Sequence, residues 1–232
     1  MIAEIEGKIS SSGANLSEKS EDNLTGNVFG TLRYIPFNKA MKKILLQGIE
    51  PKNNVSNLIK NIQVEQWDKN IKFWPYDKEG EIDVFIEFEN CIIGIEVKYL
   101  SGISSDDYIT NEDDLNKQNS QNSIHQLARE SRIISSKAKN KEKILIFIAD
   151  QQSCRDVYED VMKRNIIEND VNLVYITWQN ILQSLNNLDN LNPYEVLMID
   201  DLKKLLIRKG FKQFENFDIE NINISTNYYN FK

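Results

Sequence analysis

The sequence predicts an α/β fold, a three-layer sandwich built around a mixed central β-sheet. Three observations predict it: a pair of apolar runs at residues 81–99, two later strands of the buried type, and helical patterns before, between and after them. Strands that alternate with helices along a chain are typical of a sheet covered by helices on both faces.

The chain begins with two helical segments separated by a proline. Apolar residues recur at helical spacing from Leu24 to Ile35, behind two acids that suit a first helical turn. Pro36 interrupts this helix, and a second helical segment follows it. Residues 58–64 and 70–76 then have the character of short strands.

The strongest β signal in the chain is EIDVFIEFENCIIGIEVKY, residues 81–99. Two apolar, β-branched runs flank Glu89-Asn90, a turn pair that is acceptable because Asn tolerates positive φ. The rest of the chain alternates helices with buried strands. We expect helices over residues 121–138, 153–166, 178–188 and 194–209, and strands over residues 144–148 and 173–177.

The chain is predicted to form one domain with short appendages. Its 232 residues are 41% hydrophobic, which is enough for a core and excludes wholesale disorder. Residues 1–19 are predicted to be a flexible arm, residues 20–212 the folded domain, and residues 213–232 a tail. Within the domain, residues 101–120 are rich in Ser, Asp, Asn and Gln, which predicts a mobile acidic loop.

The composition excludes several classes of protein. The 28 basic and 35 acidic residues give a net charge of −7, so a generally basic protein that coats nucleic acid is excluded. Five of the acids lie within residues 105–114, so the negative charge is concentrated. The single histidine excludes chemistries that need two, and neither a P-loop nor a GxGxxG fingerprint is present.

The cysteines and the lack of long apolar runs bear on location. Cys91 and Cys154 are too far apart in sequence for a CxxC pair and are predicted to be small buried hydrophobes. Free cysteines favour a reducing compartment, so we expect a cytoplasmic protein. The N-terminal residues contain no apolar signal segment, and no apolar run is long enough to cross a bilayer, so no membrane association is expected.

The turn at Glu89-Asn90 fixes which residues of the hairpin face each other. If these two residues form the turn, Asp83 lies opposite Glu96 on the same face, with Cβ atoms about 4.5–5.5 Å apart. Two carboxylates this close repel each other unless a cation lies between them. Carboxylate oxygens, together with a backbone carbonyl and waters, suit Mg²⁺ or Mn²⁺.

Lys98 adds a positive charge to the same face of the hairpin, because it lies two residues after Glu96. An ammonium group there can orient an attacking water and stabilise negative charge that develops on a phosphate. Ile95 and Val97 point to the opposite face of the strand, towards the core. One face of the hairpin is therefore predicted to carry a metal-binding site, and the other face is predicted to pack in the hydrophobic core.

This pattern carries a resemblance to a known family. Asp83 followed by Glu96-Val97-Lys98 on a hairpin, with an acidic helix before and further α/β units after, resembles the PD-(D/E)XK nuclease superfamily. The resemblance covers about residues 20–180 and implies a restriction-endonuclease-like fold for the predicted domain. The segment SEDNLTGNVFGTLRYIPF also looks like the opening of bacterial proteins of this type.

The resemblance implies roles for individual residues. Asp83, Glu96 and the backbone carbonyl of Val97 would bind the metal, and Lys98 would assist the attacking water. The acid of the first helix, a further metal ligand or a support for the others, maps onto Glu21, with Asp22 as the alternative. A glutamine of the helix after the motif, close to the phosphate, maps onto Gln126. Glu130 stands where the QxxxY pattern of some members has Tyr.

The expected function is that of a Mg²⁺- or Mn²⁺-dependent DNA nuclease, acting in DNA processing or in defence against foreign DNA. DNA is the expected partner, and cleavage of both strands of a duplex favours a homodimer because it needs two active sites. Two alternatives stay open. The chain could be a catalytically inactive module that binds nucleic acid, or a regulatory subunit of a larger assembly.

Overall fold

The computed structural model describes residues 21–52, 54–107, 119–137 and 140–212. The predicted arm and the predicted tail lie outside these residues, as do residues 108–118 of the predicted acidic loop.

The described chain forms helices before the sheet, then strands, then alternating helices and strands. The helices are α1 (Glu21–Leu32), α2 (Met41–Gly48), α3 (Val55–Lys60), α4 (Gln126–Lys137), α5 (Gln151–Arg164), α6 (Trp178–Asn186) and α7 (Pro193–Arg208). The strands are β1 (Ile71–Phe73), β2 (Tyr76–Asp77), β3 (Gly80–Glu81), β4 (Val84–Glu87), β5 (Cys91–Val97), β6 (Glu142–Ala149) and β7 (Val171–Thr177).

Five strands form one mixed sheet in the order β1-β4-β5-β6-β7. The pairs β1–β4 and β4–β5 are antiparallel, whereas β5–β6 and β6–β7 are parallel. Strands β2 and β3 form a separate two-stranded ladder. The predicted α/β fold with a mixed sheet is confirmed.

Apolar side chains cover both faces of the sheet, which gives three layers. Along β6, Ile144, Ile146 and Ile148 belong to the core that includes Leu24 and Val28 of α1. The alternate residues of β6, such as Leu145 and Phe147, belong to a second core. That second core includes apolar residues of α4 and α5. Because side chains alternate along a strand, one short apolar run supports both cores.

One predicted element is wrong in type. Residues 58–64 were expected to have strand character, but α3 occupies Val55–Lys60. The reason is visible in its burial, because Val55 and Ile59 are both fully buried one helical turn apart. A sequence pattern of this length fits either a strand or a short helix.

Helix α7 has well-defined ends. Asn192 and Glu195 form a capping box at its start, with Pro193 in the first turn. Gly210 follows its end with a φ of 89°, a left-handed conformation that glycine adopts without strain. None of the described helices is long and apolar enough to cross a bilayer.

Both cysteines are buried and free, as predicted. Burial raises the pKa of the Cys91 thiol to about 11 and that of the Cys154 thiol to about 12. Both therefore stay protonated near neutral pH and fill space in the core.

Candidate active site

The hairpin of β4 and β5 has the register that its turn predicts. Val84 pairs with Ile95 and Glu87 pairs with Ile92. The Phe88 N–H donates to the Cys91 carbonyl at 2.9 Å, which closes the hairpin around the predicted turn. Extending this register by one residue brings Asp83 opposite Glu96.

Asp83 is tied to the strand that carries Glu96. The backbone N–H of Val97 donates to Oδ2 of Asp83 at 2.9 Å. The carbonyl of Asp83 accepts from the Trp74 N–H at 3.0 Å, so the backbone at Asp83 is fixed as well. The side chain of Val97 itself is fully buried in the core, as its position in the motif predicts.

Lys98 joins Glu96 to the first helix. Its Nζ lies 2.8 Å from Oε1 of Glu96 and 3.2 Å from Oε1 of Glu21. Its backbone is held on both sides, because its N–H donates to the Ile148 carbonyl at 2.7 Å and its carbonyl accepts from Trp178 Nε1 at 2.8 Å. The ammonium group therefore has little freedom to leave the carboxylates.

Glu21 lies at the start of α1 and reaches the segment that follows β5. Its Oε2 accepts from the Tyr99 N–H at 3.0 Å and also from the Ser101 hydroxyl. With Oε1 close to Lys98, both oxygens of this carboxylate have donors. This arrangement favours a role in holding Lys98 over direct ligation of a metal.

Gln126, the first residue of α4, contacts the centre of the site. Its Nε2 donates to Oε1 of Glu96 at 2.5 Å. Its Oε1 accepts from the N–H and the hydroxyl of Ser104, at 3.0 and 2.9 Å. Gln126 thus links Glu96 to residues 101–107, the described beginning of the predicted loop.

Sequence reasoning gave no role to a further acid, Glu130, one helical turn after Gln126. This side chain is only 2% exposed, and within the described part of the chain no N–H or hydroxyl group is placed to donate to its carboxylate oxygens. It lies close to Glu96 and Gln126, so a hydrogen bond joins the two glutamates when one of them is protonated. The signal in the sequence was the spacing, because residues i and i+4 of a helix share a face. The face that presents Gln126 to Glu96 therefore also presents Glu130.

Gly94 allows α4 to approach β5 this closely. It lies two residues before Glu96, on the same face of the strand. A Cβ atom at this position would overlap Cδ1 of Ile134 and lie 3.1 Å from its Cγ1. A side chain here would force the side chain of Ile134 to shift, and Ile134 lies on the same helix face as Gln126 and Glu130.

The electrostatics of the site are dominated by crowded acids. Burial raises the pKa of Asp83 well above its ordinary value, and the Glu96 carboxylate raises it further. Burial likewise raises the pKa of Glu96, with the charge of Glu130 as the next cause. Burial raises the pKa of Glu130 to about 8.

Lys98 compensates only part of this charge. Burial would lower the pKa of Lys98, but the carboxylates of Glu96 and Glu21 outweigh burial and raise it, so Lys98 stays protonated. When all are ionised, the four carboxylates and one ammonium leave three negative charges without compensation. The carboxylate oxygens of Glu130, next to Glu96, lie in the same cluster. This donor set fits a hard divalent cation, for which oxygen ligands are preferred.

A second group of acids is ion-paired with one arginine, which offsets one of three negative charges. Asp106, His125 and Asp160 can each bring one ligand atom within 4.8 Å of the others. The guanidinium of Arg164 contacts Asp106 at 2.8 Å, Asp160 at 2.9 Å and Asp107 at 2.6 Å. Nδ1 of His125 accepts from the backbone N–H of Leu127, in α4, at 3.1 Å. We interpret this group as an ion network that fixes residues 101–107 to α5.

All five predicted catalytic residues lie in one hydrogen-bonded cluster with the hairpin at its centre. Of Glu21 and Asp22, the two candidate acids of the first helix, Glu21 contacts Lys98. No protein-family model, curated protein or solved structure matches this chain. The functional argument therefore depends on the geometry of the cluster itself.

Proposed function

We propose that this protein is a divalent-metal-dependent deoxyribonuclease with a restriction-endonuclease-like core of the PD-(D/E)XK type. The observation that carries the proposal is the contact of Lys98 with two carboxylates, 2.8 Å from Glu96 and 3.2 Å from Glu21, beside an Asp83 held by the backbone of the same strand. The start of α1, the β4–β5 hairpin and the start of α4 all meet at this cluster. A sheet face that is merely exposed to solvent would not need these three segments to meet.

The reaction we propose is hydrolysis of a phosphodiester. Water attacks phosphorus, a new P–O bond forms, and the bond to the leaving oxygen breaks, with that oxygen taking up a proton. A bound Mg²⁺ or Mn²⁺ would supply positive charge that stabilises the phosphate in the transition state.

The chain's own residues divide the remaining tasks. Asp83, Glu96 and the Val97 carbonyl would hold the cation, because they offer the oxygen ligands that Mg²⁺ prefers. The Lys98 ammonium orients the attacking water and stabilises charge on the phosphate oxygens. Glu21 keeps Lys98 protonated and in place, and Gln126 fixes the orientation of the Glu96 carboxylate.

Cleavage of plasmid and short duplex DNA in Mg²⁺ or Mn²⁺ tests the proposal. We expect Asp83→Asn and Lys98→Met each to lower the cleavage rate by a factor of about 100 or more, since each removes one electrostatic contribution to the transition state. Asp68→Asn and Lys72→Met make the same chemical changes at exposed positions and should leave the rate unchanged.

A wild-type protein that is inert towards both DNA and RNA, and is indistinguishable from the Asp83→Asn variant, would contradict the proposal. That result would favour the binding-module or regulatory-subunit alternatives. For an active enzyme we further propose a cytoplasmic location and action as a homodimer on duplex DNA.

A further inference from the structure

Glu96 of β5 and Glu130 of α4 form a pair of buried carboxyl groups where the helix packs on the strand. Each residue is only 2% exposed, and the two carboxyl groups contact each other. When both are ionised, two negative charges share one buried space. A fold holds such a pair only with a proton or a cation between the two groups.

The surroundings of Glu130 differ from those of the other buried helical glutamate, Glu195. Lys39 contacts both carboxylate oxygens of Glu195, at 3.2 and 3.0 Å, and the Asn192 N–H donates to one of them at 2.8 Å. Within the described part of the chain, no N–H or hydroxyl group donates to the oxygens of Glu130. Buried charged groups normally have such donors or bind a metal, so Glu130 requires an explanation.

The donors beside the pair are directed at one oxygen of Glu96. Nζ of Lys98 and Nε2 of Gln126 both contact Oε1 of Glu96, at 2.8 and 2.5 Å. The Lys98 ammonium also lies 3.2 Å from Oε1 of Glu21, so its charge is shared between those two carboxylates. Oε2 of Glu96 and the carboxylate of Glu130 are therefore the oxygens that are left to bind a cation.

We propose that Glu96 and Glu130 hold a second divalent cation, on the α4 side of Glu96 and separate from the cation between Asp83 and Glu96. This inference rests on the proposed function, because it adds a cation position to the same site. Carboxylate oxygens suit Mg²⁺ or Mn²⁺, and Glu96 would bridge the two positions. One cation leaves one negative charge at the site, whereas two cations leave one positive charge, which attracts a phosphate.

Counting the Mn²⁺ ions bound by the protein in the absence of DNA tests the inference. The electron paramagnetic resonance signal of free Mn²⁺ measures binding, at about 0.15 M salt so that weak surface sites are screened. The variants are Glu130→Gln, Asp83→Asn and the double variant with both substitutions. Glu195→Gln is the matched control, since it makes the same chemical change at the buried helical glutamate whose oxygens have donors.

Glu130→Gln and Asp83→Asn should each bind about one ion fewer than the wild-type protein, and the double variant about two fewer, because each position would lose a charged ligand. Glu195→Gln should bind as many ions as wild type. A Glu130→Gln variant that binds as many ions as wild type would overturn the inference. So would a double variant that loses no more ions than Asp83→Asn, or a wild-type protein that binds none. Urea unfolding in EDTA confirms that each variant remains folded.

The two proposals fail separately, because ion binding is measured without DNA and cleavage is assayed on its own. If Glu130→Gln loses one ion but the wild-type protein cleaves neither DNA nor RNA, the proposed function fails and the second cation position stands. If the wild-type protein cleaves DNA and Glu130→Gln still binds every ion, the second position fails and the nuclease stands.

Discussion

The sharpest prediction concerns Glu130, whose buried carboxylate opposes folding when no cation is bound. Burial raises the pKa of Glu130 from 4.5 to about 8 in the folded protein. A carboxyl group whose pKa is raised on folding binds its proton more tightly in the folded state. Stability therefore falls as the pH rises from about 4.5 to about 8, because the unfolded chain ionises first.

Glu130→Gln removes this ionisation and keeps the shape of the side chain. The difference between a pKa of 4.5 and one of about 8 corresponds to about 4 kcal/mol at pH 8 and less than about 1 kcal/mol at pH 5. We expect the variant to be more stable than the wild-type protein by about 2–4 kcal/mol at pH 8, with only a small difference at pH 5.

Urea unfolding in EDTA, followed by tryptophan fluorescence at both pH values, measures this difference. Glu195→Gln is the matched control, because Glu195 is also a buried helical glutamate but its pKa is lowered, by backbone hydrogen bonding and by Lys39 against the effect of burial. The control should lose stability at pH 8, opposite in sign to Glu130→Gln. A Glu130→Gln protein that is less stable than wild type at pH 8 without metal would refute the reasoning.

Two further predictions concern the elements that position the site. Gly94→Ala should cost about 1–3 kcal/mol of stability, because its Cβ would overlap Ile134, and it should lower DNA cleavage further by displacing Gln126. Chemical unfolding and a cleavage assay measure the two effects, and a fully active variant would contradict the role given to Gly94. Arg164→Met should cost about 1–3 kcal/mol and speed proteolysis within residues 101–107, because Asp107 loses its buried partner. Unchanged protease sensitivity would contradict that role.

The hairpin could be predicted to the residue because its register depends on local information alone. A turn pair and an alternation of period two determine which residues face each other, and a shift by one residue would expose the apolar face. The pairing of Asp83 with Glu96 follows from that register, and so does the position of Lys98. These contacts are the part of the site that lies within one supersecondary unit.

The contribution of α4 could be predicted only in part. Gln126 was assigned through the resemblance, but Glu130 was seen merely as a departure from a pattern. Its importance depends on Gly94, since the packing of a helix against a strand is a tertiary property that neither segment specifies alone. The contacts of Ser104 with Gln126 and of Arg164 with Asp106 likewise join residues far apart in the sequence.

Part of the negative charge of the chain is concentrated at the candidate site. When the four carboxylates of the candidate site are all ionised, three negative charges are left without compensation, and they would repel a phosphate. On the proposed mechanism, one divalent cation would offset two of these three negative charges, which weakens the repulsion of a phosphate that lies over Asp83 and Glu96. Cation binding and DNA binding would then strengthen each other by the same factor, because coupling between two sites is reciprocal. On the proposed function, the metal would therefore favour binding of the substrate as well as its cleavage, and a net charge of −7 would be compatible with DNA as that substrate.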